Sequence, residues 1–176
     1  MDEAKFITLD NCLTILIYTD RSKSTNHMEL FTFYGGNYSS YIDYNGKKRN
    51  IKEGSAHLLE HYVCENTVSG DLLDNLRKYN VLSCNAGTSA FNTSYFFNTV
   101  CNFYECLDTF LDGIYNVSFT NEKLNKTKYA VLNEIRDSQN NEGRRIADIR
   151  DRTLFSNCMD NLGSEDSINS ITVKDY

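Results

Sequence analysis

The sequence predicts an α+β fold, an antiparallel-rich sheet covered by helices on one face. Three observations carry this expectation. Apolar and polar residues alternate near the start, apolar residues recur at helical spacing later, and no proline or Gly/Ser-rich linker divides the two. The 176 residues are 40% hydrophobic and include 12 Tyr and 10 Phe, enough for one core, so residues 1–176 are expected to form one domain.

The elements follow in order. Cys12 to Tyr18 is a β-branched run that reads as a strand. Met28 to Tyr34 alternates, with Leu30, Thr32 and Tyr34 on one side, and Gly35-Gly36-Asn37 ends it. A polar loop with Asp43, Asn45 and Gly46 comes next, and Gly54-Ser55 opens a helix through His57, Leu58, Leu59, Glu60 and His61. Ser69 is the expected N-cap of a second helix with Leu72, Leu73 and Leu76 as its stripe, ending by Asn80. Two strands follow, Val81 to Ala86 and Phe91 to Val100, the latter with Tyr95 and Phe97 on one face. Phe103, Cys106, Leu107, Phe110, Leu111 and Ile114 repeat at helical spacing. A longer helix is expected from about 121 to 140 with Leu124, Val131 and Ile135 inward, and another from Glu142 to Leu154.

Composition removes several function classes. The net charge of -6 disfavours nucleic acid, whose phosphates need clustered Lys and Arg. No apolar run reaches the roughly 18 residues of a membrane span. Met1-Asp2-Glu3 is acidic and carries no apolar leader. Six cysteines without a C-x-x-C pair read mostly as buried thiols in a reduced, cytoplasmic protein. Sequons at Asn37, Asn92, Asn116 and Asn125 are expected from the Asn-rich composition.

The informative stretch is Gly54-Ser55-Ala56-His57-Leu58-Leu59-Glu60-His61. Residues four apart share a helix face, so His57 and His61 can converge on one ion. Zinc takes imidazole nitrogen at about 2.0–2.1 Å, a reach this spacing supports. Glu60 sits between them, off the metal yet close enough to act on a water beside it, as in the H-x-x-E-H arrangement of inverted zinc peptidases. A catalytic zinc takes three protein ligands, so a third is to be sought downstream. Cys64, one turn past His61, reads as a thiolate ligand or a buried thiol. His27 reads as exposed or locally hydrogen-bonded, and Asp137, Glu142, Arg144 and Arg145 as a solvated helix surface.

The stretch from Asn11 to Glu65, with its zinc motif at Gly54 to His61, resembles the N-terminal domain of the pitrilysin–insulinase–mitochondrial processing peptidase family. Val131-Leu132-Asn133-Glu134-Ile135 resembles the family's V-x-x-E-I, which implies Glu134 as third zinc ligand. Asn85-Ala86-Gly87-Thr88-Ser89 resembles the end of the strand that pairs with substrate backbone in that family, which implies substrate contacts at Asn85 and Ala86. Leu162-Gly163 to Ile168 and Ile171-Thr172-Val173-Lys174-Asp175 resemble its L-G-x-x-x-x-I and I-T-x-x-D segments. The resemblance implies a zinc endopeptidase acting on unstructured peptides, with Glu60 as general base.

Two departures stand out. The family commonly has Glu seven residues before the ligand, where this chain has Thr127, and Arg where it has Lys128. The chain also stops at Tyr176, inside the last expected helix, and so reads as a truncated domain. An active clamp would then draw on a second peptidase-type chain or domain, or on self-association. Two other readings stay open: a metalloenzyme like S-ribosylhomocysteine lyase, with Cys as third ligand, and a non-catalytic partner subunit.

Overall fold

Strand pairing gathers the β-segments into three antiparallel sheets among the residues described, 3–155 and 160–176, of this computed structural model. Strands β1 (Glu3–Thr8) and β2 (Thr14–Thr19) form a hairpin. Strand β3 (Asn26–Thr32) joins the later strands, and β4 (Ser40–Ile42) and β5 (Lys48–Asn50) form a second hairpin. Helix α1 (Ser55–Glu65) and the short α2 (Leu72–Arg77) precede β6 (Ser83–Thr88) and β7 (Thr93–Thr99). Helices α3 (Phe103–Tyr115), α4 (Asn121–Gln139), α5 (Glu142–Leu154) and α6 (Glu165–Ser170) follow, then one 3-10 turn at Val173–Asp175.

The central sheet runs β3-β7-β6, which leaves β6 at an edge among the described residues. Alternation along β7 buries Tyr95 and Phe97 on the face covered by α1, α2 and α3, as the period-2 pattern predicts. This is the expected α+β arrangement.

Helix α1 organises the core because it serves two apolar clusters at once. Leu58 and Tyr62 face Leu124, Val131 and Ile135 of α4 and Ile168 of α6. Val63 and Cys64 face Leu72, Tyr95, Phe97 and Phe110. Each fully buried Leu, Ile or Phe among them contributes on the order of 1.5–3 kcal/mol. The Tyr62 hydroxyl donates to Ser118 O at 2.9 Å and accepts from Thr120 N at 2.8 Å. Thr120 caps α4, so this contact fixes where α4 starts relative to α1.

Some local expectations change. The Asp43–Gly46 loop is the turn of the β4–β5 hairpin, held by Asp43 Oδ1, which accepts from the Asn45 and Lys47 amides at 2.9 Å. Helix α2 is capped by Asp71, whose side chain accepts from Asp74 N, whereas Ser69 is drawn into the Thr67–Gly70 turn. Of the described cysteines, Cys64 and Cys106 are buried, Cys84 is half-buried, and Cys12 and Cys101 are exposed thiols in turns. Cys158 lies outside the described residues.

Candidate metal centre

Helical spacing places His57 and His61 on the face of α1 that neither apolar cluster occupies. Their Nε2 atoms stand 3.2 Å apart. Glu134, from α4, brings Oε2 to 3.5 Å from His57 Nε2 and Oε1 to 3.4 Å from His61 Nε2. Ligands about 2.0–2.1 Å from a tetrahedral zinc stand about 3.3 Å from one another, close to the separation of the two imidazole nitrogens and of each from its nearer Glu134 oxygen. The donor set, two imidazoles and a carboxylate with an open side, is of the catalytic zinc type.

Electrostatics suits His57 to the same use. Burial, with the charges of His61 and Arg144, lowers the His57 pKa to about 4, so its ring stays in the neutral, ligating form. The Glu65 carboxylate, with Oε1 3.8 Å from His61 Nδ1, raises the pKa of His61. His57 Nδ1 is buried without a hydrogen-bond partner.

Glu60 is buried, and its Oε2 accepts a 2.7 Å hydrogen bond from the Thr88 hydroxyl at the end of β6. Thr88 ends β6 opposite Thr93 of β7, so the partner of Glu60 is anchored in the sheet. Burial raises the Glu60 pKa, which makes its carboxylate a better proton acceptor.

A cleft of about 410 Å³ joins these groups, lined by His57, Glu60, His61, Glu134, Asn85 and Ala86 among others. His57, Glu60, His61, Glu134, Asn85 and Ala86 therefore meet in one place. Ser89 N donates to Asn92 O across the β6–β7 turn, and alternation along the ladder then turns the N–H and C=O of Ala86 to the open side of β6.

Three other expectations can be placed. Cys64 is buried outside the ligand group, its thiol pKa pushed up by burial, so the described residues bring a carboxylate and no sulfur to the two histidines. His27 is exposed, with Nδ1 2.9 Å from Asn98 Oδ1. Arg144 is not a freely solvated surface charge. It lines the cleft with its Nε buried and unpartnered, and one guanidinium nitrogen lies 3.6 Å from Asp160. Sequence reasoning missed it because only the packing of α5 beside α4 carries it there. Glu65 was also missed, although its i, i+4 spacing from His61 could have revealed it.

The family described as insulinase (peptidase family M16) matches residues 47–164. The uncharacterized zinc protease YmfH of Bacillus subtilis (strain 168) is 26% identical over 140 residues, which are 78% of this chain and 32% of YmfH. Among solved structures, a protein of Alicyclobacillus acidocaldarius described as an M16-like peptidase superposes with a TM-score of 0.85 at 22% identity, over 99% of this chain and 41% of that one. Pitrilysin superposes with a TM-score of 0.72 at 18% identity, over 95% of this chain and 18% of its own. The chain thus spans about a third of its curated relative and less than half of these solved structures. No helix among the described residues is long and apolar enough to cross a membrane.

Proposed function

Because the chain belongs to the insulinase family, peptidase family M16, we propose that residues 1–176 form a zinc-dependent endopeptidase domain acting on unstructured peptides. The observation that carries the proposal is the convergence of His57 Nε2, His61 Nε2 and the Glu134 carboxylate, each imidazole nitrogen within 3.5 Å of the other and of its nearer carboxylate oxygen. In this reading the three residues hold the metal. Bound there, zinc supplies Lewis acidity that lowers the pKa of a coordinated water and polarises the peptide carbonyl.

Glu60 takes the proton of the attacking water and passes it to the leaving amine. Thr88 holds the Glu60 carboxylate in place through its 2.7 Å hydrogen bond. The open edge of β6 at Asn85 and Ala86 adds the substrate as a further strand, so recognition runs mainly through backbone. A folded protein cannot offer such a strand, which is why unstructured peptides are the proposed substrates.

A second peptidase-type domain or chain, or another copy of this one, completes the enclosure in the proposal. The cleft is open on one side, and closure is what excludes water and fixes a peptide. A cytoplasmic compartment is also proposed, supported by the exposed thiols of Cys12 and Cys101, which reducing compartments keep unpaired.

The test is metal analysis combined with hydrolysis of a mixed peptide library, over a range of chain concentrations, for the native sequence and Glu60→Gln. One bound zinc and cleavage that needs Glu60 support the reading. A chain that holds no zinc, or that cleaves equally well without Glu60, overturns it.

A further inference from the structure

Behind the metal-facing edge of His61 lies a second carboxylate. Glu65, one turn further along α1, places Oε1 3.8 Å from His61 Nδ1, while Nε2 of the same ring faces His57 and Glu134. The other oxygen, Oε2, accepts a 2.9 Å hydrogen bond from the Thr127 hydroxyl. Thr127 in turn accepts from Asn66 Nδ2 at 3.1 Å, and that amide also donates to Tyr62 O at 3.1 Å. Thr127 is fully buried and Asn66 nearly so, so the pair that holds Glu65 is fixed by packing between α1 and α4.

We infer that Glu65 is a positioning residue for the metal centre, held by Thr127 and Asn66 so that its carboxylate keeps the His61 ring oriented with Nε2 toward the ion. The inference rests on the zinc-site reading above. A carboxylate at Nδ1 retains the ring proton there, leaves the Nε2 lone pair free and makes that nitrogen a stronger donor. The network is directional. Thr127 has one hydroxyl proton; it accepts from the Asn66 amide and so spends that proton on Glu65, which leaves Oε1 free for the imidazole. His57 has no such partner at Nδ1, so the two histidines are supported unequally and His61 is the ring with a carboxylate beside Nδ1.

The test compares zinc dissociation constants, by competition with a chromophoric chelator, for the native chain, Glu65→Gln and Thr127→Val, with circular dichroism of each zinc-free chain as the check on folding. Glu65→Gln should weaken zinc binding about 10–100-fold, and Thr127→Val should weaken it less, since the carboxylate remains but is no longer held. The second measurement needs no variant. Long-range ¹H–¹⁵N spectra of the zinc-loaded native chain should show His61 protonated at Nδ1 and metal-bound through Nε2. Equal zinc affinity in the native chain and Glu65→Gln overturns the role of Glu65 alone, as does a His61 bound through Nδ1. A native chain that binds no zinc overturns the metal centre itself and this inference with it.

Discussion

Gly54 and Gly163 lie back to back, so close that a β-carbon on Gly163 would stand 2.9 Å from the α-carbon of Gly54. Both adopt positive φ, 78° and 75°. Gly54 is the N-cap of α1, so the contact pins the first turn of the helix that carries His57 and His61 against the segment that leads into α6.

Gly54→Ala should therefore destabilise the fold by about 1–3 kcal/mol, because it adds left-handed strain to a backbone collision at Leu162 O. Urea denaturation of the zinc-free chain measures this. A midpoint equal to that of the native chain would show that the two segments separate at little cost.

Glu134→Gln should weaken zinc retention by more than about 100-fold while the zinc-free chain stays folded, since Glu134 is exposed and belongs to neither apolar cluster. Metal content after dialysis against a chelator is the readout. Retention equal to that of the native chain would remove Glu134 from the ligand set.

Glu60→Gln should keep zinc and lose about 10²–10⁴-fold in turnover, because the amide occupies the same space but accepts no proton. Loss of zinc together with activity would place Glu60 among the ligands instead.

Thr88→Val bears on pH dependence. The Thr88 hydroxyl bond favours the ionised form of Glu60 and opposes the upward push of burial. Removing it raises the Glu60 pKa further, and a general base works only when deprotonated. The acid limb of the kcat/KM profile should accordingly move to higher pH. An unmoved limb would mean that Glu60 does not set it.

Ala86→Pro should raise KM for peptides and leave zinc affinity unchanged, because it deletes an outward N–H of β6 without touching a ligand. Unchanged KM would argue against strand addition at this edge.

How much of this was legible depends on the range of the interaction. His57, Glu60 and His61 follow from helical period alone, and Tyr95 and Phe97 from strand period, because both are local geometry. Glu134 is distant in sequence and emerged only through resemblance, since nothing near it says which side of α4 meets α1. Strand β1 was missed, and β4–β5 was read as loop. Lys48-Arg49-Asn50 has no apolar alternation, and its pairing is set by the Asp43 side chain instead. Ser69 and Asp71 are both good caps two residues apart, and only the Thr67–Gly70 turn decides between them. Arg144 reaches the cleft through tertiary packing, which no sequence period reports.

Tyr62 joins α1 to the start of α4, and the candidate ligands lie on these same two helices, which the chain separates by the whole of β6, β7 and α3. An ion bridging them as proposed would act as a reversible cross-link that closes a long loop, and it would bind the folded chain far better than the unfolded one. Its concentration then becomes a variable of folding. At a hundred times the dissociation constant, free zinc adds about 2.7 kcal/mol to the stability of the native state. Melting temperature should climb with the logarithm of zinc activity, and chelation should reach the whole molecule through mass action rather than only its chemistry.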